Sequence, residues 1–138
     1  MSYQQTVNEI RATAETVNPD GTFDHGRIVD ASQSFNVAFP YIHLYPFNVQ
    51  GASGDDFIDD NTLLIGFWGQ DSPDSSTLQR EELIASMESL ADQFLTLLQQ
   101  NKLIRILGKI QKEPQYKMYN GHVSGWAVRF TYQNFTPC

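Results

Sequence analysis

The densest chemistry in the chain lies in seven consecutive positions, Asp55-Asp56-Phe57-Ile58-Asp59-Asp60-Asn61. Four carboxylates within six residues could hold a hard cation such as calcium, which takes oxygen ligands. The spacing does not fit an EF-hand, which needs alternate acidic positions, a glycine and a distant Glu. The stretch therefore reads as a solvated acidic loop, and no metal site is expected. Phe57 and Ile58 are its odd members, because apolar residues in a loop either fold back on the core or dock on a partner. His25, His43 and His122 lie far apart and make no close metal-ligand pair. His43, between Ile42 and Leu44, reads as a strand residue rather than a ligand. The single cysteine, Cys138, excludes a disulfide framework and a Cys-rich zinc site, and a nucleophile there would lack a shaped pocket. Gly66-Phe67-Trp68-Gly69 has neither the spacing nor the Lys of a phosphate-binding loop. Ser72, Ser75 and Ser76 read as turn and cap residues. No cofactor and no catalytic constellation is expected, so the chain does not read as an enzyme.

The basic residues form the second cluster. Lys102, Arg105, Lys109, Lys112 and Lys117 fall within sixteen positions. Few aromatics alternate with them, unlike a single-strand nucleic-acid platform, and a basic edge for an acidic neighbour fits better. The whole chain has nine Lys and Arg against sixteen Asp and Glu, a net charge of −7, which argues against a duplex-DNA binder. The charge is unevenly placed: residues 1–75 hold two basic and eleven acidic residues, a net −9, and residues 76–138 hold seven basic and five acidic, a net +2. A uniform excess would speak only of solubility. A split excess suits head-to-tail pairing of unlike edges, the geometry that closes rings. Asp55, Asp56, Phe57, Ile58, Asp59 and Asp60 on one side, and Lys109, Lys112, Lys117 and Arg129 on the other, are the candidate interface residues.

These residues need a scaffold, and 138 residues with a hydrophobic fraction of 41% suffice for one domain, 1–138, with its own core. No apolar run is long enough to span a membrane. Met1-Ser2-Tyr3-Gln4-Gln5 lacks the layout of a signal peptide, so a reducing compartment is expected. Val7, Ile10, Ala14 and Val17 recur at helical steps and predict a helix over 3–17. Asn18-Pro19-Asp20-Gly21 ends it, and residues 18–34 read as irregular. Strands are expected at 35–47, bounded by Pro40 and Pro46, and at 62–68, paired antiparallel across the acidic loop 48–61. Ser76 and Gln79 form a capping-box pattern that opens a long helix over 76–101, with Ile84, Met87, Ala91, Phe94 and Leu98 on its inner stripe. The remainder reads as strands 103–110, 115–119 and 122–133. Parity selects the last hairpin. Tyr116, Met118, Trp126, Val128, Phe130 and Tyr132 share one face only if Met118 pairs with His122 across a three-residue loop, with Gly121 left-handed in a bulge. The expected fold is α+β: an antiparallel or mixed sheet of four to five strands, packed with an N-terminal helix and one long helix.

This order of pieces resembles the tail terminator, or tail-completion, proteins of long-tailed bacteriophages. The resembling stretches are the helix at 2–17, Phe39-Pro40-Tyr41-Ile42-His43-Leu44-Tyr45-Pro46, Leu63-Leu64-Ile65-Gly66-Phe67-Trp68, the helix 76–101 and Gly125-Trp126-Ala127-Val128-Arg129-Phe130-Thr131. The likeness implies a structural virion protein that assembles in the host cytoplasm into a homohexameric ring at the tail end. The ring would meet the tail tube protein on one face and head connector proteins on the other, with no specific nucleic-acid binding and no membrane. The resemblance brings no catalytic residues. A head-completion or connector protein is the alternative within that class, and a small-ligand-binding α+β domain is the alternative outside it.

Overall fold

Thr77–Leu98 forms the long helix, α2, and it starts where its capping box dictates. The backbone N–H of Gln79 donates to Ser76 Oγ at 3.1 Å, and Ser76 N–H donates to Gln79 Oε1 at 2.9 Å. Two donors that the helix itself cannot satisfy are thereby paired. The helix closes at Leu98, three residues before the expected end, because Gln100 and Asn101 turn tighter and donate to Leu97 and Leu98. At ~1.5 Å per residue it is about 33 Å long and spans the sheet. The computed structural model describes residues 3–26, 38–47, 59–72, 74–117 and 123–134. The N-terminal helix, α1, runs Tyr3–Val17 as its periodicity predicts. It stops at Asn18, whose side-chain amide donates to the Pro40 carbonyl at 2.8 Å.

Five strands make one mixed sheet: β1 (Thr22–His25), β2 (Tyr41–Leu44), β3 (Asp59–Gln70), β4 (Ile104–Lys117) and β5 (Val123–Asn134), in the order β1-β2-β3-β5-β4. The chain is thus α+β, with both helices on one face of the sheet. Strand β2 pairs antiparallel with β3, Tyr41 opposite Trp68 and Leu44 opposite Ile65, as the sequence predicts. It is shorter than 35–47: among the described residues the ladder begins after the cis Phe39–Pro40 peptide and ends two residues before Pro46. Prolines lack the N–H that a ladder needs.

Strand β1 corrects the irregular reading of 18–34 at residues 22–25, while residues 27–34 lie outside the described residues. Its four residues pair parallel to β2, Thr22 opposite Tyr41 and His25 opposite Leu44. A strand of one inward aromatic, Phe23, among polar residues has too short an alternation to announce itself. Strand β3 corrects both the 62–68 bounds and the 48–61 loop. It begins at Asp59, and Asp59 and Asp60 lie opposite Asn134 and Gln133 of β5. Aspartate and asparagine are poor strand formers, so composition hides this start, while pairing with β5 extends it. Residues 48–58 lie outside the described residues.

Strand β4 is continuous where two pieces, 103–110 and 115–119, are expected. Leu107 lies opposite Thr131 and Gln111 opposite Arg129, so β4 holds two extra residues at that point. Gly108 takes a left-handed φ of 64° there, which glycine adopts without steric cost. Two extra residues preserve parity, so Ile104, Ile106, Ile110 and Lys112 all face α2. Beyond the bulge Gln115 lies opposite Gly125 and Pro114 opposite Trp126. This is the register a three-residue loop requires. A two-residue loop would shift each pair by one. The turn itself, with Gly121, falls outside the described residues.

The core lies between this sheet face and the helices. Leu63, Ile65 and Phe67 of β3, Val128, Phe130 and Tyr132 of β5, and Ile42 and Leu44 of β2 pack against Val7, Ile10 and Ala14 of α1 and Met87, Ala91, Phe94 and Leu98 of α2. Phe67 and Phe94 meet edge to face at 5.3 Å, a favourable ring geometry. On the other face Tyr41, Trp68 and Val123 form a smaller buried cluster. Gly125 lets β5 come against β3 there, since a Cβ on it would sit 1.8 Å from the Phe67 carbonyl oxygen.

A buried ion pair ties the start of α2 to the sheet. Arg80 Nε donates to Asp71 Oδ2 at 2.9 Å, Ser72 N–H donates to Asp71 Oδ1 at 2.7 Å, and the Ser124 hydroxyl donates to Oδ2. Burial pushes this carboxyl up, but the bonds from Arg80, Ser124, Ser72 and Ser75 outweigh it and bring its pKa down from 3.8 to about 2.

Candidate functional site

The strand order leaves two lateral edges, β1 and β4, each paired on one side only among the described residues. Helix α1 packs beside β1, and α2 lies over β5 and β3. The α1–β1 side, residues 3–25, holds one basic residue, Arg11, against Glu9, Glu15, Asp20 and Asp24, a net −3. Strand β4 holds Arg105, Lys109, Lys112 and Lys117 against Glu113, a net +3. The two edges are therefore of unlike sign, on opposite sides of one sheet.

The predicted interface residues distribute unevenly over this frame. Asp59 and Asp60 belong to β3, a central strand, so the aspartate stretch enters at the end of the sheet rather than along a lateral edge. Asp60 and Arg105 flank Gln133 of β5 from its two sides, which brings the start of the acidic stretch and the start of the basic strand to one end. Asp55, Asp56, Phe57 and Ile58 lie outside the described residues. Lys109 is exposed in the β4 bulge, and Arg129 is exposed on the sheet face away from the helices. Lys117 ends β4.

Lys112 is engaged within the subunit. Its ammonium donates to Asp92 at 2.9 Å and lies 3.5 Å from Glu88, both on α2, and sits 5.7 Å from the centre of the Trp126 ring. The bond to Asp92 and the nearby Glu88 raise its pKa, against a smaller opposing effect of burial. It fastens α2 over β4 rather than presenting a free charge.

The acidic lateral edge comes from residues that composition alone does not single out. Glu15, Asp20 and Asp24 are exposed, and only the strand order gathers them. On the other side Arg105 is exposed and joins Lys109 as an available cation. The signal for both groups is the −9 against +2 split. Assigning the charges to edges needs the β1–β2 parallel pairing.

Strand β4 also carries devices that blunt an edge. Pro114 has no N–H to offer, and the bulge at Gly108 interrupts the ladder. Such features discourage indiscriminate strand addition, so contacts on this edge fall to side chains. An open groove runs along α2, lined by Val17, Ala85, Ser89, Gln93, Thr96 and Leu97. The described residues contain no group of three His, Cys, Asp or Glu side chains placed to hold a metal ion. No described helix is long and apolar enough to cross a membrane. No family model matches the chain, and no curated protein matches it significantly.

Proposed function

We propose that this chain is a structural protein of a long-tailed bacteriophage tail, which closes the tail tube as a homohexameric ring and joins it to the head connector. The observation that carries the reading is the unlike charge of the two lateral sheet edges: exposed Glu15, Asp20 and Asp24 on the α1–β1 side, and exposed Arg105 and Lys109 on β4, where Lys112 is already paired with Asp92 and Glu88. A surface that complements a different surface of an identical neighbour makes a heterologous contact, and such contacts close into rings when the rotation permits. Arg105 and Lys109 of one subunit would face Asp20 and Asp24 of the next, fixing register while buried apolar side chains supply most of the affinity. The two flat faces of the ring would then be left for the tail tube and the connector.

Charge reversal tests this reading with an internal control. Arg105→Glu with Lys109→Glu makes both edges acidic, and Asp20→Lys with Asp24→Lys makes both basic. Each doubly substituted protein alone is expected to sediment as a monomer, and an equimolar mixture to recover the wild-type mass by alternation around the ring. Wild-type assembly by both variants alone, or a mixture that stays monomeric, would overturn the proposal.

A further inference from the structure

A connected polar cluster lies where β1 meets β2. His43 is buried on β2, 2% exposed, and both of its ring nitrogens are engaged. Nε2 lies 2.5 Å from the Gly26 carbonyl oxygen. A carbonyl only accepts, so Nε2 carries a proton. Nδ1 lies 3.1 Å from the Tyr41 hydroxyl, and that hydroxyl lies 3.3 Å from Asp24 Oδ2. When His43 is neutral its Nδ1 can only accept, so it and the Asp24 carboxylate compete for the single hydroxyl proton of Tyr41. Asp24 has a second donor, the His25 backbone N–H at 2.8 Å, and it is exposed to solvent. His43 Nδ1 has no such access.

We propose that Asp24, Tyr41 and His43 form a proton relay from solvent to a buried histidine, and that its state sets the charge presented by edge strand β1. The steps balance with one proton from water. Asp24 Oδ2 takes it up and passes it to the Tyr41 oxygen, while Tyr41 gives its own hydroxyl proton to His43 Nδ1. The chain ends as an imidazolium donating from Nε2 to Gly26 and from Nδ1 to Tyr41, with the Tyr41 hydroxyl turned to donate to an ionised Asp24. The hydrogen bonds reverse in direction while the heavy atoms stay in place. At the edge, the lone negative charge of Asp24 becomes half of an ion pair.

The surroundings bear on the relay from each neighbouring element. From β1, Asp24 favours the charged ring, and His25 opposes it when itself charged. His25 is held by the Leu44 carbonyl through Nδ1 at 2.9 Å and by the Tyr3 hydroxyl of α1 at Nε2. From β2, the Tyr41 ring stacks on His43 at 5.7 Å and Tyr45 meets it edge-on at 4.7 Å. Across from His43, β3 offers Gly66, which brings no charge. Burial is the largest influence and lowers the histidine's pKa, with the Gly26 bond and then Asp24 opposing.

The test is nitrogen-15 NMR of the full chain labelled at histidine, titrated from about pH 8 to about pH 5, a range that brackets the ordinary histidine value. His43 is expected in the Nε2–H form at high pH, titrating to the imidazolium with a midpoint below that of an exposed histidine. Tyr41→Phe should lower its proton affinity by about threefold or more, the loss of one hydrogen bond to a charged group. Asp24→Asn, an exposed change that spares the core, should lower it as well. Asp24→Asn should shift the midpoint less in the Tyr41→Phe background than in wild type, because only its through-space charge then acts on the ring; equal shifts in the two backgrounds would overturn the relay. An Nδ1–H form at high pH, or a midpoint unmoved by Asp24→Asn, would overturn the proposal.

Discussion

Asp71→Asn isolates the ion pair that joins the first turns of α2 to the ends of β3 and β5. The substitution keeps the shape and removes the charge that Arg80, Ser72 and Ser124 all address. In the folded protein the carboxyl pKa moves from 3.8 to about 2, which at about 1.4 kcal/mol per pH unit is about 2 kcal/mol. The Asp71 side chain is 1% exposed, so solvent screening takes little from that figure. Losing the partner also leaves the Arg80 guanidinium short of a counter-charge, but its bonds to the Ser72 and Ser75 carbonyls at 3.2 and 3.5 Å remain. The expected loss near pH 7 is therefore about 2–3 kcal/mol.

The sign of the pH dependence follows from the depressed pKa. The contribution is fully present above the unfolded value near 3.8 and is lost as pH falls through about 2. Urea unfolding of wild type and variant side by side, from about pH 7 down to about pH 2, reads the difference and cancels the other carboxylates. The gap should hold to about pH 4 and shrink to about half or less at the acid end. A gap below about 0.5 kcal/mol at neutral pH, or one that stays constant to the acid end, would refute the reasoning.

Two further outcomes follow from packing and charge. Gly125→Ala would place a Cβ 1.8 Å from the Phe67 carbonyl oxygen, so the β3–β5 ladder must shift, and a loss of about 3 kcal/mol or more is expected in thermal or urea unfolding. Lys112→Ala removes a half-exposed pair with Asp92 and Glu88 and should cost no more than about 1 kcal/mol. It should also leave the salt dependence of self-association unchanged, since this lysine is held by α2.

The helices were legible because their signals are local. The Ser76–Gln79 capping box and the Val7, Ile10, Ala14 stripe are complete within a few residues of each other, and both helices begin where those residues place them. The β4–β5 register was legible through parity, since a two-residue loop would have put Tyr116 and Met118 on the face opposite Trp126, Val128, Phe130 and Tyr132. What local reading missed is non-local. Thr22–His25 becomes a strand only because Tyr41–Leu44 lies beside it in parallel, and Asp59 extends β3 only because Asn134 is opposite. The candidate interface shows the same division. The charge split was visible in composition, and Lys109 and Arg129 are exposed. The engagement of Lys112 by Glu88 and Asp92, and the gathering of Asp20 and Asp24 on one lateral edge, depend on strand order and helix placement that no short window of sequence contains.

The claim that unlike edges pair between copies is most directly tested by multi-angle light scattering of the wild-type chain over a range of concentration at low and high salt. The account predicts a discrete closed oligomer at about 50 mM salt that loses mass as ionic strength rises toward about 1 M, where the screening length falls from above 10 Å to about 3 Å. A monomer at every concentration in low salt would contradict it.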